Sequence, residues 1–583
     1  MPDNKNGFSK QMIHQSIKKH IGLLVAVLCC SLIITAFSIV NPIIYQKVTD
    51  DFITEKNIEA LIMCVAIVVA VPILSACISL LKNKVNYWFG KKCIYDITDT
   101  VFKKTLRSDF SQYSKYDSVT LSNILTRSAE AIPSMYLSSI INTFSSVVQF
   151  VAVFVMLLHY NVALTLAAFA FLPLSYFIIE SQKKKMREAS HTGLVEQRNF
   201  QKNIVQIFNG MKTIRSYNAQ SNAEETFENG LNNFNKAEWK FRKMECLAGD
   251  ILPATVSQII IGAVFAVGAL FVLNDKMSVG ALVAVIAYLP SLISSLNGVM
   301  KARLSINSIG NILKEFDDIM NLDDELSCSV LPEKISDDIV EVENMDFSYG
   351  RENFSLHIDN LEVKRGEFVA IVGLSGGGKS SVMDILNKFF SITSGSFKMF
   401  GEDINAIDTD SLRKMYSVVS QDVFLFNDSI ERNISFPETP DADKIAKVIE
   451  KAQLKDFIKE LPEQEKTMIN NFVENLSGGE CQRISIARAL YRDAPVMLLD
   501  EPTSALDAET SKKIFDMLIT ENKEKNKTIV MITHDIKKAF VADKVVVIND
   551  GKIAECGKPN ELLKKDGAFK SLLMADKKTD DVS

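Results

Sequence analysis

The stretch FVAIVGLSGGGKSS, residues 368–381, joins an apolar strand, a glycine-rich turn and the start of a helix. Within it, Gly373, Lys379 and Ser380 fit the spacing GxxxxGK(S/T). Glycines let backbone N–H groups curl around phosphates, and the helix N-terminus adds the positive end of its dipole. Lys379 is predicted to reach the β- and γ-phosphates, and Ser380 to ligate Mg²⁺. The stretch therefore predicts an α/β domain with a nucleotide site at a strand-to-helix turn.

A second stretch, VMLLDEPTSALD at residues 496–507, complements this loop. Asp500 follows four apolar residues of a predicted strand, where a carboxylate can hold Mg²⁺ directly or through water. Glu501 comes next and is the candidate to polarise an attacking water in phosphoryl transfer. The alternative is that Glu501 is an acidic helix cap before Pro502.

The N-terminal half carries long runs without any charged residue. They cover residues 21–41, 61–81, 132–179, 251–274 and 277–300. A helix needs about 20 apolar residues to cross a membrane, and the third run has a polar break at His159-Tyr160-Asn161, so it is interpreted as two spans. The runs predict six transmembrane helices. Buried helices of a soluble protein are the alternative, and a signal peptide is the alternative for the first run.

Lysine and arginine set the predicted orientation. The connections after spans two and four are long and basic, whereas the other connections hold only Lys47, Lys56 and Lys276. The positive-inside rule places these two connections and the N-terminus in the cytoplasm. Their apolar residues recur at helical spacing, which predicts long helical hairpins with tips near residues 111–117 and 215–219.

Bulk properties agree with a multidomain membrane protein. The chain has 583 residues, too many for one hydrophobic core, and a net charge of −6 that gives no basic nucleic-acid surface. Its nine cysteines lack CxxC spacing and are interpreted as small core residues in a reducing compartment. The predicted division is a transmembrane domain at residues 1–325, an acidic linker at 326–338 that contains Pro332, and an α/β domain at 339–583.

The order of these motifs resembles the ATP-binding cassette of ABC transporters, and the whole chain resembles a half-exporter of the B subfamily, with six spans before one cassette. The carrying motifs are FSY at 347–349, Gln421, LSGGE at 476–480, SALD at 504–507 and His534. The resemblance implies that Tyr349 stacks on adenine and that His534 contacts the γ-phosphate. It also implies that LSGGE closes over ATP held by a second cassette, so the chain needs a partner.

The expected site residues follow from the motifs and the resemblance together. The catalytic set is Glu501, His534 and Gln421, and the metal set is Ser380, Gln421 and Asp500. The residues expected to contact ATP are Tyr349, Gly373, Ser375, Gly376, Gly377, Gly378, Lys379, Ser380, Ser381, Ser477, Gly478, Gly479 and Asp507.

Two features depart from the family pattern. The signature motif usually ends in Gln, and here it ends in Glu480. The preceding loop usually reads TxVGExG, whereas Asn470, Asn471 and Val473 stand at its Gly, Glu and Gly positions. These departures affect the expected coupling between the cassette and the membrane domain, but not the ATP chemistry.

The resulting hypothesis is an exporter in the plasma membrane of a bacterium, with a cytoplasmic cassette. ATP binding would close two cassettes, and hydrolysis would release them and alternate access to a central cavity. The substrate would be a drug, a lipid or a peptide-like molecule, because the spans contain no Asp, Glu, Lys or Arg. An importer on the same fold and a soluble SMC-like ATPase are the alternatives. A homodimer is favoured, and a heterodimer is the other possibility.

Overall fold

The structure is a computed structural model that describes residues 8–52, 58–132, 137–170, 172–247, 251–325, 336–350, 354–469 and 476–580. It divides into two compact units. The first comprises Met1–Ser108 and Tyr113–Leu322, and the second comprises Asp109–Gln112 and Asp323–Ser583. Most of the predicted linker lies outside the described residues.

The first unit is built of α-helices. In chain order they are α1 (Phe8–Lys19), α2 (Ile21–Lys47), α3 (Ile58–Arg107), α4 (Phe110–Tyr113, which reaches into this unit only at Tyr113), α5 (Ser118–Asn123), α6 (Ala129–Ile132), α7 (Ser138–Tyr160), α8 (Val162–Ala170), α9 (Leu172–Asn209), α10 (Met211–Ser216), α11 (Gln220–Cys246), α12 (Leu252–Leu273) and α13 (Val279–Met320). Short π-helical turns occur at Val48–Phe52 and Ile124–Ser128.

Within the described residues, five helices are long and apolar enough to span a membrane. They are Ile21–Asp50, Ile58–Arg107, Ser138–Tyr160, Leu252–Leu273 and Val279–Val299. The remaining predicted span begins in α8 and continues into α9, with residue 171 between them outside the described residues. The predicted polar break is present, because α7 ends at Tyr160 and the Asn161 side chain accepts the Leu164 N–H at 3.0 Å. Asn161 thus caps the next helix.

Several helices are too long for the membrane alone. Helix α3 has 50 residues, which at 1.5 Å per residue is about 75 Å, against a hydrocarbon core of about 30 Å. The chain reverses between α10 and α11 at Asn218, whose φ of +51° is a left-handed conformation that asparagine tolerates. Helix α11 then packs along α9, so the second predicted hairpin is present and its tip lies where it was expected.

The π-helical turn that follows α2 is hydrogen-bonded to the start of α13. The Asp50 carboxylate accepts the Gly280 N–H at 2.8 Å and the Ser278 hydroxyl at 2.6 Å. A side chain at position 280 would come within 2.5 Å of the Asp50 carboxylate carbon, so glycine permits this close approach. Deeper in the bundle, the buried Tyr288 donates its hydroxyl to the Ile39 carbonyl at 2.7 Å. Both contacts hold the first and last spans together.

The second unit contains a ten-stranded sheet in the order β5-β4-β1-β2-β10-β9-β3-β8-β7-β6. The strands are β1 (Asp338–Phe347), β2 (Leu356–Lys364), β3 (Phe368–Val372), β4 (Ser394–Met399), β5 (Glu402–Asp403), β6 (Tyr416–Val419), β7 (Val496–Asp500), β8 (Thr528–Ile532), β9 (Lys544–Asn549) and β10 (Lys552–Gly557). The helices are α14 (Lys379–Leu386), α15 (Thr409–Lys414), α16 (Ile430–Ser435), α17 (Ala442–Lys451), α18 (Lys455–Glu460), α19 (Gly478–Arg492), α20 (Ala508–Lys525), α21 (Ile536–Ala539), α22 (Pro559–Leu562) and α23 (Ala568–Asp580).

The predicted parallel sheet is only part of this architecture. Strands β9, β3, β8, β7 and β6 pair in parallel, whereas β1 pairs antiparallel with both β2 and β4. The connection from β1 to β2 is too short for the crossover that parallel strands require. The parallel part of the sheet determines where the candidate site lies, because ligands bind outside the carboxyl ends of parallel strands. The carboxyl ends of β3, β7 and β8 therefore carry the phosphate loop, Glu501 and the approach to His534.

Candidate functional site

The phosphate loop follows the fully buried strand β3 and ends where α14 begins. Gly376 and Gly378 adopt φ values of +79° and +108°, which residues with a side chain rarely adopt. Gly373 has a different requirement, since a Cβ there would lie 2.0 Å from the Ile548 carbonyl oxygen. The loop glycines are therefore fixed by backbone conformation and by the close approach of β9.

We expect Gly373→Ala to destabilise the cassette. Forcing extra carbon atoms into a packed site costs typically about 1–3 kcal/mol, and here the obstacle is a backbone oxygen that cannot rotate away. Thermal unfolding of the full chain should show a lower midpoint for the second unit. The matched control is Gly557→Ala, whose Cβ would make an ordinary 3.5 Å contact with Leu562. Equal midpoints for the two variants would contradict the expectation.

Lys379 lies folded over this loop. Its Nζ donates to the carbonyl oxygens of Gly373 and Leu374, each at 2.9 Å, and the residue is 6% exposed. Burial lowers the pKa of Lys379, and the nearby carboxylates of Glu501 and Asp500 oppose that shift. Ser380, the second residue of α14, is exposed. Both residues lie at the start of α14, and phosphate binding by them stays a prediction.

Asp500 ends β7 beside these groups. Burial raises the pKa of its carboxyl to about 6, with further raising by the carboxylates of Glu501 and Asp384. A divalent cation would favour the charged form of such a group. The described residues contain no cluster of three His, Cys, Asp or Glu that could hold a metal by itself. One carboxylate and the Ser380 hydroxyl nevertheless fit Mg²⁺, which takes its other oxygen ligands from phosphates and water.

Glu501 lies at the centre of the predicted catalytic set. His534 Nε2 is 2.7 Å from its Oε1, and the Gln421 amide donates to its Oε2 at 3.4 Å. The structure brings these three residues together, although 80 residues separate Gln421 from Glu501. Glu501 has a φ of +48°, a left-handed conformation that costs free energy in any residue with a side chain. Such a conformation at a strand end is typical of functional sites.

The signature motif forms the first turn of α19. The Ser477 side chain accepts the Glu480 N–H at 3.2 Å, and the Glu480 carboxylate accepts the Ser477 N–H at 2.6 Å. This reciprocal capping box satisfies two N–H groups that the helix leaves unpaired. Glu480 therefore caps the N-terminus of α19, a role that glutamine at this position can also fill. The altered loop at Asn470, Asn471 and Val473 lies outside the described residues.

Two predicted nucleotide contacts have other roles in the structure. Asp507 caps α20 by accepting the Thr510 N–H at 2.9 Å, and this bond lowers the pKa of its carboxyl. Tyr349 donates its hydroxyl proton to the Asp384 carboxylate at 2.9 Å, and the same oxygen accepts the Ser381 hydroxyl at 3.1 Å; the Tyr349 ring meets Phe347 and Phe390 edge-on. Burial raises the pKa of Tyr349 to about 12. Adenine stacking by Tyr349 stays a prediction.

Sequence reasoning missed two side chains that organise this site. Gln482 in α19 bonds the backbone at Glu501 and Ala505. Lys538 in α21 donates to the hydroxyls of Thr503 and Ser511 at 2.7 and 2.8 Å. Neither residue is part of a sequence pattern that by itself indicates a functional role. Their contacts with the site are visible only in the folded structure.

Comparisons with known proteins agree with this architecture. The family described as ABC transporter transmembrane region matches residues 24–296, and the family described as ABC transporter matches residues 356–504. A structure entitled "Structure of a bacterial Atm1-family ABC exporter with ATP bound" superposes with a TM-score of 0.84 at 22% identity, covering 96% of this chain and 98% of the other. This likeness confirms the predicted fold class.

Three relatives match over most of both chains. The "ATP-dependent lipid A-core flippase" of Vibrio vulnificus (strain CMCP6) is 26% identical over 83% of each chain. The flippase of Haemophilus influenzae (strain 86-028NP) is 26% identical over 90% of each chain. The "Uncharacterized ABC transporter ATP-binding protein YknV" of Bacillus subtilis (strain 168) is 27% identical over 93% of this chain and 90% of its own. The chain belongs to the ABC transporter family and is a multi-pass membrane protein that couples ATP hydrolysis to transport, with its transmembrane region and its ATP-binding cassette in one polypeptide.

Proposed function

We propose that two such chains together export an amphipathic, lipid-like substrate across the plasma membrane. One observation carries the ATP-driven part: Glu501 lies between His534 and Gln421, beside a loop that holds Lys379. Of the three candidate substrate classes, drug, lipid and peptide, the names of the flippase relatives support a lipid. The long apolar helices and their basic connections support a cytoplasmic cassette.

In this proposal the site works by positioning and charge. The backbone N–H groups of the phosphate loop and Lys379 bind the β- and γ-phosphates. Glu501 accepts the proton of the attacking water, while His534 holds the glutamate and approaches the γ-phosphate. Asp500, Ser380 and Gln421 would hold Mg²⁺, which when bound would neutralise charge at the phosphates. The partner's signature turn covers the remaining side of the nucleotide.

Transmission to the membrane helices uses the hairpin tips. Asp109–Gln112, at the first tip, clusters with the cassette unit rather than with the helices from which it extends. There the Phe110 ring packs against Phe389 and Phe390, with centroids 4.6 and 5.9 Å apart. A cassette movement that shifts these rings would move the tip with it. An importer on the same fold is the second candidate, and the direction assay described next distinguishes the two.

The experiment is substrate-stimulated ATPase activity in reconstituted vesicles, with movement of labelled lipids followed in the same preparation. We expect phospholipids or glycolipids to stimulate hydrolysis and to move away from the leaflet that faces the cassette. Stimulation only by soluble peptides or drugs would contradict the lipid assignment. Movement toward the cassette side would indicate an importer.

A homodimer is expected when the chain is purified alone. The chain keeps both a complete catalytic set and a complete signature turn, in which Glu480 caps the helix that it begins. Two copies can then complete two sites with closed two-fold symmetry. The protein mass in nanodiscs should be twice the 65.0 kDa of one chain, with cooperative hydrolysis. A monomer that becomes active only with a different half-transporter would contradict this expectation.

Mixing two inactive variants tests the shared site directly. Glu501→Gln removes the catalytic carboxylate, and Gly478→Asp places a negative charge on the signature turn. Residue 478 tolerates a Cβ, because the nearest atom is 3.6 Å away, and an acidic residue suits the first turn of a helix. A mixed dimer has one site with both functions intact, so co-reconstitution should restore activity. No recovery in mixed particles would exclude a shared site.

A further inference from the structure

The side chain of Gln482 links the signature helix to the end of the catalytic strand. Gln482 lies in α19 and is 2% exposed. Its Nε2 donates to the Glu501 carbonyl at 2.7 Å and to the Ser504 hydroxyl at 3.3 Å, and its Oε1 accepts the Ala505 N–H at 3.0 Å. Both the NH₂ group and the oxygen of this buried amide are therefore hydrogen-bonded to the segment that directly follows β7.

This segment needs such support. Glu501 holds a left-handed φ of +48°, and a conformation of this kind persists only where the surroundings over-determine it. The Glu501 N–H donates to the Ile532 carbonyl at 3.0 Å, which fixes the residue from the β8 side. Gln482 fixes the next peptide, through the Glu501 carbonyl, from the α19 side. The direction of the Glu501 side chain is thus set partly by a residue on another helix.

The same helix begins with the turn that covers the neighbour's nucleotide. A Cβ at Gly479 would lie 3.0 Å from the Ala505 carbonyl and 3.3 Å from the Leu506 side chain. Gln482 follows Gly478 and Gly479 by about one helical turn. The signature turn and the post-β7 segment are therefore in close contact at two successive levels of α19, and a shift of the helix cannot leave the segment unmoved.

We propose that Gln482 is a positioning residue that makes the catalytic geometry of Glu501 depend on the position of the signature turn. When that turn closes on the nucleotide of the partner, Gln482 passes the displacement to the hydrolytic site of its own chain. The two ATP sites of a dimer are then coupled through one side chain in each cassette. This inference rests on the proposed role of Glu501.

The test is Gln482→Met in the full-length protein in nanodiscs. Methionine has a similar length and remains apolar, so it removes the hydrogen bonds without adding a buried charge. A small misplacement of a reacting group can cost up to 10²-fold in rate, and we expect kcat for ATP to fall about tenfold. The Kd for ATP should change less than about twofold, and the Hill coefficient of hydrolysis should fall towards 1. If Gln482→Met does not fold, Gln482→Glu is measured instead; it keeps the bond from the Ala505 N–H, loses the two bonds that the Gln482 amide donates, and adds a buried carboxylate.

The matched control is Asn522→Leu. Asn522 is also a buried amide, 5% exposed, and donates to the carbonyls of Gly366 and Lys527 at 2.8 Å each. Its loss should lower the unfolding midpoint without lowering kcat. The inference is overturned if folded Gln482→Met or Gln482→Glu keeps kcat within about twofold of wild type, or if Asn522→Leu loses as much kcat.

Glu501→Gln, measured in parallel, distinguishes the catalytic role of Glu501 from the coupling role of Gln482. Normal hydrolysis by Glu501→Gln would reject the proposed role of Glu501 itself. A strong loss in Glu501→Gln together with normal kcat in the Gln482 variant would reject only the coupling role of Gln482.

Discussion

Glu501→Gln is expected to slow ATP hydrolysis at least ~10²-fold, since loss of a general base typically costs 10²–10⁴-fold. Glutamine keeps the shape of the side chain and can still bond His534, which lies 2.7 Å from the carboxylate. What it loses is the ability to accept a proton from water. ATP binding should remain, because the phosphate loop is untouched. Single-turnover hydrolysis and equilibrium ATP binding measure the two quantities separately.

The matched control is Glu509→Gln, which removes an exposed carboxylate of the same cassette that pairs with Lys513 at 2.7 Å. Hydrolysis by this variant should equal that of wild type. If Glu501→Gln turned over ATP at a near-normal rate, Glu501 would be only the acidic residue before Pro502, and another group would have to activate the water. If it also lost ATP binding, the substitution would have disturbed the phosphate loop.

Lys379→Ala is expected to weaken ATP binding by roughly 10- to 100-fold. Hydrogen bonds to charged groups contribute about 1.5–3 kcal/mol each, and 1.4 kcal/mol corresponds to one factor of ten in affinity. Without nucleotide the ammonium is already paired with the Gly373 and Leu374 carbonyls, so phosphates must compete with these bonds. The expected loss is therefore that of about one strong bond rather than several. Calorimetric titration with ATP measures the affinity.

The transmembrane helices should be unaffected by Lys379→Ala, and the particle should elute from size exclusion as wild type does. Lys388→Ala is the control, because Lys388 also donates to a backbone carbonyl, that of Ile407 at 2.7 Å, but lies beyond the end of α14. Its ATP affinity should match wild type. Equal affinity of Lys379→Ala and wild type would show that the backbone N–H groups alone hold the phosphates.

Periodicity and local spacing were sufficient to predict a helical membrane domain followed by an α/β domain, but not the antiparallel pairing of β1 with β2 and β4. The uncharged runs predict the membrane helices because lipid excludes charge over a length that can be counted in residues. The break at Asn161 and the turn at Asn218 were predictable for a similar reason, since polar residues that interrupt an apolar or helical pattern end it locally. The loop from Gly373 to Ser380 is built from consecutive residues. Residues that are neighbours in the sequence are therefore also neighbours in space, and the loop can be recognised from the sequence alone.

The sequence by itself therefore predicted the two kinds of domain and the phosphate loop. It also singled out Asp500 and Glu501 as candidate site residues. Only the tertiary structure decided how Glu501 is held. Glu501 and its partners Gln421 and His534 follow three neighbouring parallel strands, and its third partner, Gln482, lies in α19. No spacing along the chain encodes the distances between these four segments. The capping role of Glu480 and the bonds of the Tyr349 hydroxyl were hidden for the same reason. Each depends on which partner lies within about 3 Å, which is a property of packing rather than of order.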